Sequence, residues 1–504
     1  MKQSVLFAVV LLALSRLAPA ASPASRPNAP ASRPADKPVP EKLSVTEHEL
    51  KLGDQVLRYR ATAGYLTTRD DSGKEKANFF HVAYEKLDEP DPSKRPITFL
   101  FNGGPGAASV WLHVGAVGPK RVAMRDDEGH APVPPYRLVD NAFTWLDATD
   151  LVFIDPVNTG YSRPAPGENP QQFFGLREDI SAVADFIRLY ITRQKRWLSP
   201  TFIAGESYGT TRAAGLSVYL SDRHGIAPSG IILISTVLNF QTLSPTDANE
   251  TPFPLYIPSY TAIAHYHKKL DAELQKDLPA ALKAAEAFAV AEYAPALVRG
   301  SALPAEQRKT VLAKLARFTG LPAAWIDRND LKITPSEFRK QILTEDRRII
   351  GRFDARIAGF DPRPNSPMSE YDPSLTGYLP AYSATFNDYV RRTLGYENDL
   401  PYDVFGNVGQ WKMNESGFAN VADDLQRAIV HLPHLKVFVA AGWYDLATPY
   451  FAADYTVNHM TVGPDLRANI TQAYYPGGHM MYHNLAALER LKKDVRAFIE
   501  KAGK

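Results

Sequence analysis

The sequence of 504 residues contains no cysteine, and it has almost no net charge. The lack of cysteine excludes disulfides, thiolate nucleophiles and cysteine-ligated metals. Lysine and arginine (57) nearly balance aspartate and glutamate (55), so the chain has neither a basic stripe for nucleic acid nor an acidic tail. His265 and His267 have no third ligand nearby, and we predict neither a metal nor a cofactor.

Long apolar runs are also missing after the amino terminus, so we predict no integral membrane span in the processed chain. The first residues resemble a targeting segment: Lys2 precedes an apolar run over 5–14, and Ala18-Pro19-Ala20 offers a cleavage site. We predict a signal peptide over 1–20 and a linker rich in proline, alanine and serine over 21–41. Export without cysteine favours a bacterial periplasm or exterior. An uncleaved membrane anchor is the alternative interpretation.

Short apolar runs separated by amphipathic stretches predict an α/β fold. A helix is predicted over 177–193, where apolar residues recur on one face. Runs of this kind are typical of parallel strands buried on both faces, so we expect a mostly parallel, doubly wound sheet. The predicted strands are 97–101, 151–154, 201–204, 231–234, 437–440 and 470–474.

The strand pattern stops near residue 240 and returns near residue 430. Residues 267–358 are instead rich in alanine, leucine and charged residues at helical spacing. We therefore predict a helical insertion over 245–385. It would divide the core into a first part, 42–244, and a second part, 386–504.

The most informative motif is Gly-Glu-Ser-Tyr-Gly at 205–209, directly after an apolar run. A strand that ends in G-x-S-x-G turns sharply into a helix and exposes the serine hydroxyl. The pattern predicts a serine hydrolase in which Ser207 is the nucleophile. A serine needs a base, and that base needs a carboxylate to fix its tautomer.

Asp445 and His479 supply these groups in the chain order that the fold requires. Each follows a predicted strand, where a doubly wound sheet presents functional groups. Taken singly, either could be an ordinary turn or buried residue. We prefer His479 to His483 because it directly follows two glycines and a strand, and we expect His483 to pack at the start of the last helix.

The backbone N–H of Tyr208, directly after the nucleophile, is one predicted oxyanion donor. The glycine-rich loop 101–106 closes an early strand and is placed to offer the second, although a plain tight turn is the alternative. Trp111 and Trp443 flank the predicted site. Lining of a substrate pocket and packing in the core are both open interpretations for them.

These residues resemble the serine carboxypeptidase family, in what we expect to be a bacterial-type member with the α/β-hydrolase fold. The resemblance is carried by Asn-Gly-Gly-Pro-Gly at 102–106, by 205–209, by Asp445 and by Gly-His-Met at 478–480. The segment Asp-Pro-Val-Asn-Thr-Gly-Tyr-Ser at 155–162 is similar to a further signature of the family. The region 245–385 matches only in position and helical character.

The resemblance implies a catalytic triad and an oxyanion hole. The triad would be Ser207, Asp445 and His479, and the hole would be formed by the backbone amides of Gly104 and Tyr208. It also implies an activity, the removal of carboxyl-terminal residues from a peptide substrate. Neither nucleic acid nor a particular oligomeric state is predicted.

In the family, the asparagine of the first motif and the glutamate before the serine bind the substrate's terminal carboxylate, and here these are Asn102 and Glu206. Two positions depart from the pattern: Ala116 stands where a second glutamate is usual, and Ala107 where a cysteine is usual. Loss of the second glutamate predicts a milder pH optimum than an acid one. It also leaves open an esterase or acyltransferase. A non-catalytic peptide- or wall-binding protein on the same scaffold is a separate alternative, against which the intact Ser207, Asp445 and His479 argue.

Overall fold

The computed structural model describes residues 41–367, 369–413 and 417–503. The predicted signal peptide lies outside the described residues, as does the predicted linker apart from Glu41. Within the described part of the chain, no helix is both long enough and apolar enough to cross a membrane.

Strands from both ends of the chain build one large sheet in the order β1-β2-β3-β7-β4-β9-β10-β13-β14, with β8 paired to β3. The pairs β5–β6 and β11–β12 form two small sheets. The strands of the described residues are β1 Leu43–Leu52, β2 Gln55–Arg69, β3 Glu75–Lys86, β4 Ile97–Phe101, β5 Lys120–Val122, β6 Leu138–Asp140, β7 Asp150–Ile154, β8 Arg163–Pro164, β9 Thr201–Glu206, β10 Gly230–Ile234, β11 Arg348–Ile350, β12 Ala358–Phe360, β13 Lys436–Gly442 and β14 Ile470–Tyr475.

The six predicted strands are β4, β7, β9, β10, β13 and β14, and all five contacts between neighbours among them are parallel. Four of them, β4, β7, β9 and β10, are buried along their whole length. Helices lie against both faces, since one apolar cluster contains residues of α2, α3 and α11 and another contains residues of α10 and α14. The predicted α/β fold is confirmed.

Helices connect these strands and cover the sheet. The predicted helix over 177–193 is observed as α2, one residue longer at its start. The helices of the described residues are α1 Val110–Leu112, α2 Leu176–Arg193, α3 Tyr208–His224, α4 Pro252–Tyr266, α5 Leu278–Phe288, α6 Ala294–Arg299, α7 Ala305–Thr319, α8 Ala323–Arg328, α9 Pro335–Gln341, α10 Pro373–Arg392, α11 Ala422–His431, α12 Tyr450–Asn458, α13 Pro464–Arg467 and α14 Leu485–Ala502.

The antiparallel strands β1, β2 and β3 were not predicted. They extend the sheet beyond β7, to which β3 pairs antiparallel. In β2 the residues Leu57, Tyr59, Ala61 and Ala63 are buried, while the residues between them are less buried. This alternation is the usual signal of a strand with one covered face, and it differs from the continuous apolar runs that identified the parallel strands.

Between β10 and β13 the chain forms helices α4 to α11 and the small hairpin β11–β12. Helices α4 to α9 contribute most of a third apolar cluster, which also includes Tyr444 and Leu446 beside the predicted catalytic acid. Helix α10 packs instead into the cluster that contains α14. The domain division at residues 245 and 385 stays a prediction, and residue 385 lies inside α10.

Candidate active site

Ser207 stands at the turn between β9 and α3. Its backbone has φ 60° and ψ −131°, a strained conformation for a residue with a side chain. Its N–H donates to the carbonyl of Ile234 at 3.0 Å, which holds the turn to the neighbouring strand. A Cβ on Gly205 would lie 2.1 Å from the carbonyl oxygen of Gly209, so the turn is too tight for side chains at these positions. The geometry is that of a nucleophile elbow.

His479 follows β14, and its Nδ1 lies 2.7 Å from Oδ2 of Asp445, which follows β13. Asp445 is held in turn: Oδ1 accepts from the backbone N–H groups of Ala447 (2.7 Å) and Thr448 (3.0 Å). The hydroxyl of Thr448 donates to Oδ2 at 2.7 Å. An imidazole that donates from Nδ1 keeps its lone pair on Nε2, the tautomer that a general base needs.

The environment of His479 favours its protonated form. Burial lowers the pKa of His479, but the charge of Asp445 and the hydrogen bond to it outweigh burial, so the pKa lies above its usual range.

The backbone of His479 is held by hydrogen bonds on both sides. Its N–H donates to the carbonyl of Phe353 at 2.5 Å, and its carbonyl accepts from Ser235 Oγ at 2.5 Å.

The loop 102–106 packs directly on the elbow. A Cβ on Gly103 would lie 2.4 Å from the backbone nitrogen of Tyr208, so only glycine allows this approach. Gly104 has φ +101°, in the region that favours glycine. Gly104 and Tyr208 line one cavity together with Ser207 and His479. The structure therefore brings the predicted oxyanion residues to the predicted nucleophile and base.

Asn102 and Glu206 lie on the buried floor of this cavity, with 3% and 2% of their surfaces exposed. Asn102 Oδ1 accepts from the N–H of Leu112 at 3.0 Å, and its side chain also forms a hydrogen bond with Glu206. Burial raises the pKa of Glu206 to about 7, although the nearby His479 and two hydrogen bonds act in the opposite direction. Glu206 is therefore largely protonated on the acid side of neutrality.

The remaining wall is mainly apolar and aromatic. Trp111 lines the cavity and lies 4.5 Å from the ring of Tyr382, whereas Trp443 packs against the third apolar cluster. His483 is buried just before α14, with Nε2 2.7 Å from the hydroxyl of Tyr382. No group of three or more histidine, aspartate or glutamate side chains among the described residues is arranged to hold a metal ion.

Comparison with known proteins places this geometry in a family. The sequence profile described as serine carboxypeptidase matches residues 52–484. The chain belongs to the serine carboxypeptidase family. The resemblance stated from the motifs is thereby confirmed.

Individual members of the serine carboxypeptidase family are distant in sequence. Serine carboxypeptidase-like 45 of Arabidopsis thaliana is 28% identical over 216 residues, which span 40% of this chain and 43% of that protein. Carboxypeptidase Y of Saccharomyces cerevisiae is 27% identical over 152 residues, 29% of this chain and 24% of that protein. The matches thus span less than half the length of these relatives.

The fold is similar to that of Kex1, a prohormone-processing carboxypeptidase from S. cerevisiae. The crystal structure of Kex1 aligns with a TM-score of 0.50 at 15% identity, over 87% of this chain and 91% of that one. At this level of identity the likeness concerns the fold.

Tyr482 is a site residue that sequence reasoning missed. Its hydroxyl donates to Oε2 of Glu206 at 2.7 Å. Ala116, at the position of the family's second glutamate, is buried in the turn that follows α1. The adjacent Gly115 packs closely against Tyr382 and Tyr482, because a Cβ at this position would lie 2.5 Å from the Tyr382 hydroxyl and 2.8 Å from the Tyr482 ring. A phenol therefore provides Glu206 with a hydrogen-bond partner in a chain that has no carboxyl group at position 116.

A buried ion pair lies beneath the elbow and was also missed. Arg212 in α3 is fully buried, and its Nε donates to Oδ2 of Asp179 in α2 at 2.8 Å. Its Nη1 donates to the carbonyl of Asn102 at 2.7 Å, and the hydroxyl of Tyr208 donates to Asp179 at 3.2 Å. One guanidinium thus connects the nucleophile helix to the loop that carries the predicted oxyanion and carboxylate sites.

Proposed function

We propose that this protein is an exported serine carboxypeptidase that removes residues from the carboxyl end of peptides. The observation that carries the proposal is the position of Glu206 and Asn102. They are hydrogen-bonded to each other on the cavity floor, and Glu206 directly precedes Ser207. A terminal carboxylate bound there brings the last peptide bond to the nucleophile.

In the acylation step, His479 Nε2 takes the proton of Ser207 as the hydroxyl oxygen attacks the carbonyl carbon. Asp445 stabilises the imidazolium that forms. The N–H groups of Gly104 and Tyr208 donate to the oxyanion of the tetrahedral intermediate. His479 then gives the proton to the leaving amine, and the peptide remains as an ester on Ser207. A water molecule, activated by the same histidine, hydrolyses the ester and restores the enzyme.

The floor residues recognise a carboxylate by donating to it. The Asn102 side-chain amide is a donor at every pH. A carboxyl group donates only when it is protonated, and the pKa of Glu206 of about 7 keeps it protonated in mildly acidic solution. Above that pH, Glu206 would repel the substrate.

A serine esterase or acyltransferase with the same machinery is the second candidate. The observation in its favour is Ala116, which stands where other members of the family have the carboxyl group that partners Glu206. An ester substrate does not have to carry a terminal carboxylate, so its binding would not require a site for one. The intact Ser207, Asp445 and His479 argue against a non-catalytic binding protein.

The activity is tested by mass spectrometry of an amino-blocked peptide incubated with the processed protein. We expect stepwise loss of carboxyl-terminal residues, no loss with Ser207→Ala, and no loss from the same peptide bearing a terminal amide. An intact peptide, from a protein that still reacts with a fluorophosphonate probe, would instead assign an esterase or acyltransferase. Failure to react with the probe would favour the binding protein.

Export is tested separately in a bacterial host. We expect the protein in the periplasm or medium, with an amino terminus created after residue 20. Full-length protein retained in the membrane fraction would favour the uncleaved anchor.

A further inference from the structure

Arg352 lies in the segment 351–357, which joins β11 to β12 and contacts both loops of the predicted acid and base. The carbonyl of Arg352 accepts from the N–H of Leu446 at 3.1 Å, next to Asp445. The carbonyl of the adjacent Phe353 accepts from the N–H of His479 at 2.5 Å. The position of Arg352 is therefore fixed relative to the catalytic groups by main-chain hydrogen bonds.

The Arg352 side chain is exposed and lines the catalytic cavity. Its guanidinium lies 5.5 Å from the ring centre of Phe353, and that ring is 5.2 Å from the imidazole of His479. Its positive charge acts on the base, since it is one of the groups that lower the pKa of His479. The cation thus faces the same space as the reacting groups.

No described residue forms a hydrogen bond or ion pair with this guanidinium. The two neighbouring carboxylates already have cationic partners. Asp354 pairs with Arg356 at 2.6 Å, and Asp372 pairs with Arg339 at 3.4 Å. Arg352 is therefore a cation without a protein counter-charge at the mouth of the cavity.

The other charged groups of the cavity are not paired with Arg352. Apart from His479 and the phenol of Tyr208, the ionisable side chains among the described lining residues are Glu206 and Arg352. Glu206 lies on the buried floor, bonded to Tyr482 and Asn102, whereas Arg352 lies at the exposed rim. If the floor binds the terminal carboxylate, a second carboxylate of the substrate can reach Arg352.

We propose that Arg352 selects peptides with a carboxylate side chain on one of the two residues flanking the cleaved bond. The substrates would be peptides with aspartate or glutamate in the last or the penultimate position. A guanidinium forms paired hydrogen bonds with a carboxylate and cannot form that pair with a carboxamide. This inference rests on the proposed carboxypeptidase function.

The test uses two pairs of amino-blocked dipeptides, one with glutamate or glutamine in the last position and one with the same exchange in the penultimate position. We expect wild-type kcat/KM to be about tenfold higher for the glutamate member of one pair. In Arg352→Gln this ratio should fall to about one, chiefly because kcat/KM for the glutamate substrate decreases. Arg352→Lys should retain part of the ratio. The matched control is Arg348→Gln, which changes an exposed arginine of the same hairpin outside the cavity lining and should keep the full ratio.

A ratio of about one in both pairs with the wild type would overturn the inference. An equal loss of kcat/KM for both members of each pair in Arg352→Gln would also overturn it, because the guanidinium would then bind the terminal carboxylate that all these peptides share. Binding of the terminal-amide dipeptides to Ser207→Ala separates the two sources without turnover, because a side-chain contact persists in them and a terminal contact does not.

Binding to Ser207→Ala, measured by calorimetry with the same peptides, separates this inference from the proposed function. Preferential binding of the glutamate member, lost in Ser207→Ala with Arg352→Gln, supports the role of Arg352 even if no peptide is hydrolysed. Equal binding of both members overturns it even if the enzyme proves to be a carboxypeptidase.

Discussion

The hydroxyl of Tyr482 donates to the carboxyl group of Glu206 at 2.7 Å, in a site where Ala116 offers no second carboxyl group. A phenol does not ionise near neutrality, so it cannot share a proton with Glu206 as another carboxyl group does. Glu206 therefore titrates as the one carboxyl group on the cavity floor. Its pKa of about 7 is set mainly by burial.

The first prediction concerns the alkaline side of the pH profile. In the proposed function, Glu206 donates to the substrate carboxylate when it is protonated, and above its pKa its negative charge would repel the substrate. We expect kcat/KM for a blocked dipeptide to fall above pH 7, with a slope that approaches about tenfold per pH unit. On the acid side it should fall as His479, whose pKa is raised, becomes protonated and can no longer act as a base.

Glu206→Gln tests this assignment. A glutamine donates at every pH, so the decline above pH 7 should disappear for peptides with a free carboxyl terminus. On the acid side Glu206 already carries no charge, so the decline set by protonation of His479 should stay near its wild-type position. An alkaline decline that survives the substitution would assign it to another group.

The second prediction concerns Tyr482→Phe. The hydrogen bond from Tyr482 lowers the pKa of Glu206, so its removal should raise that pKa and move the alkaline decline to higher pH. The measurement is the pH dependence of kcat/KM on the same dipeptide. Tyr378→Phe is the control, because it removes another buried phenol whose hydroxyl bonds to the carbonyl of Gly129. An identical shift in both variants would contradict the specific role of Tyr482.

The third prediction concerns the contact between the glycine loop and the elbow. In Gly103→Ala the new methyl group would lie 2.4 Å from the backbone nitrogen of Tyr208, so the loop must move away. Displacement of one oxyanion donor should reduce kcat by about 10²–10³. Gly463→Ala, at an exposed position with open space and an ordinary backbone conformation, should leave kcat unchanged. Normal kcat in Gly103→Ala would show that the loop does not form the oxyanion hole.

The fourth prediction concerns the ion pair beneath the elbow. Arg212→Leu leaves the carboxylate of Asp179 buried without its cation, and we expect a loss of about 3–5 kcal/mol in the free energy of unfolding. The double variant with Asp179→Leu removes both charges and should recover much of this loss. Urea denaturation of the wild type, both single variants and the double variant gives the coupling energy. Additive effects would contradict the importance of the pair.

The sequence was sufficient to predict the six parallel strands and the strand ends that bring Ser207, Asp445 and His479 together. Strands buried on both faces appear as continuous apolar runs, and the elbow and the loop 102–106 are local motifs. The antiparallel strands β1 to β3 were not predicted. A strand such as β2, with one face covered, shows only an alternation of buried and exposed residues and no continuous apolar run.

The supporting residues of the site could not be predicted in the same way. Tyr482 meets Glu206 across 276 positions of sequence, and Arg212 meets the carbonyl of Asn102 across 110. Such contacts depend on how strands and helices pack, and no local pattern marks them. Arg352 is one charged residue among many in the predicted insertion, and only the cavity distinguishes it.

The segment 351–357 performs two tasks with one stretch of backbone. It presents Arg352 to the substrate space, and through Phe353 it supports the main chain of His479. A sequence change that moves this segment to suit another substrate therefore also moves the base. If both proposed roles hold, selectivity and turnover are mechanically linked, and variants selected in this segment for a new preference should show correlated changes in kcat and KM.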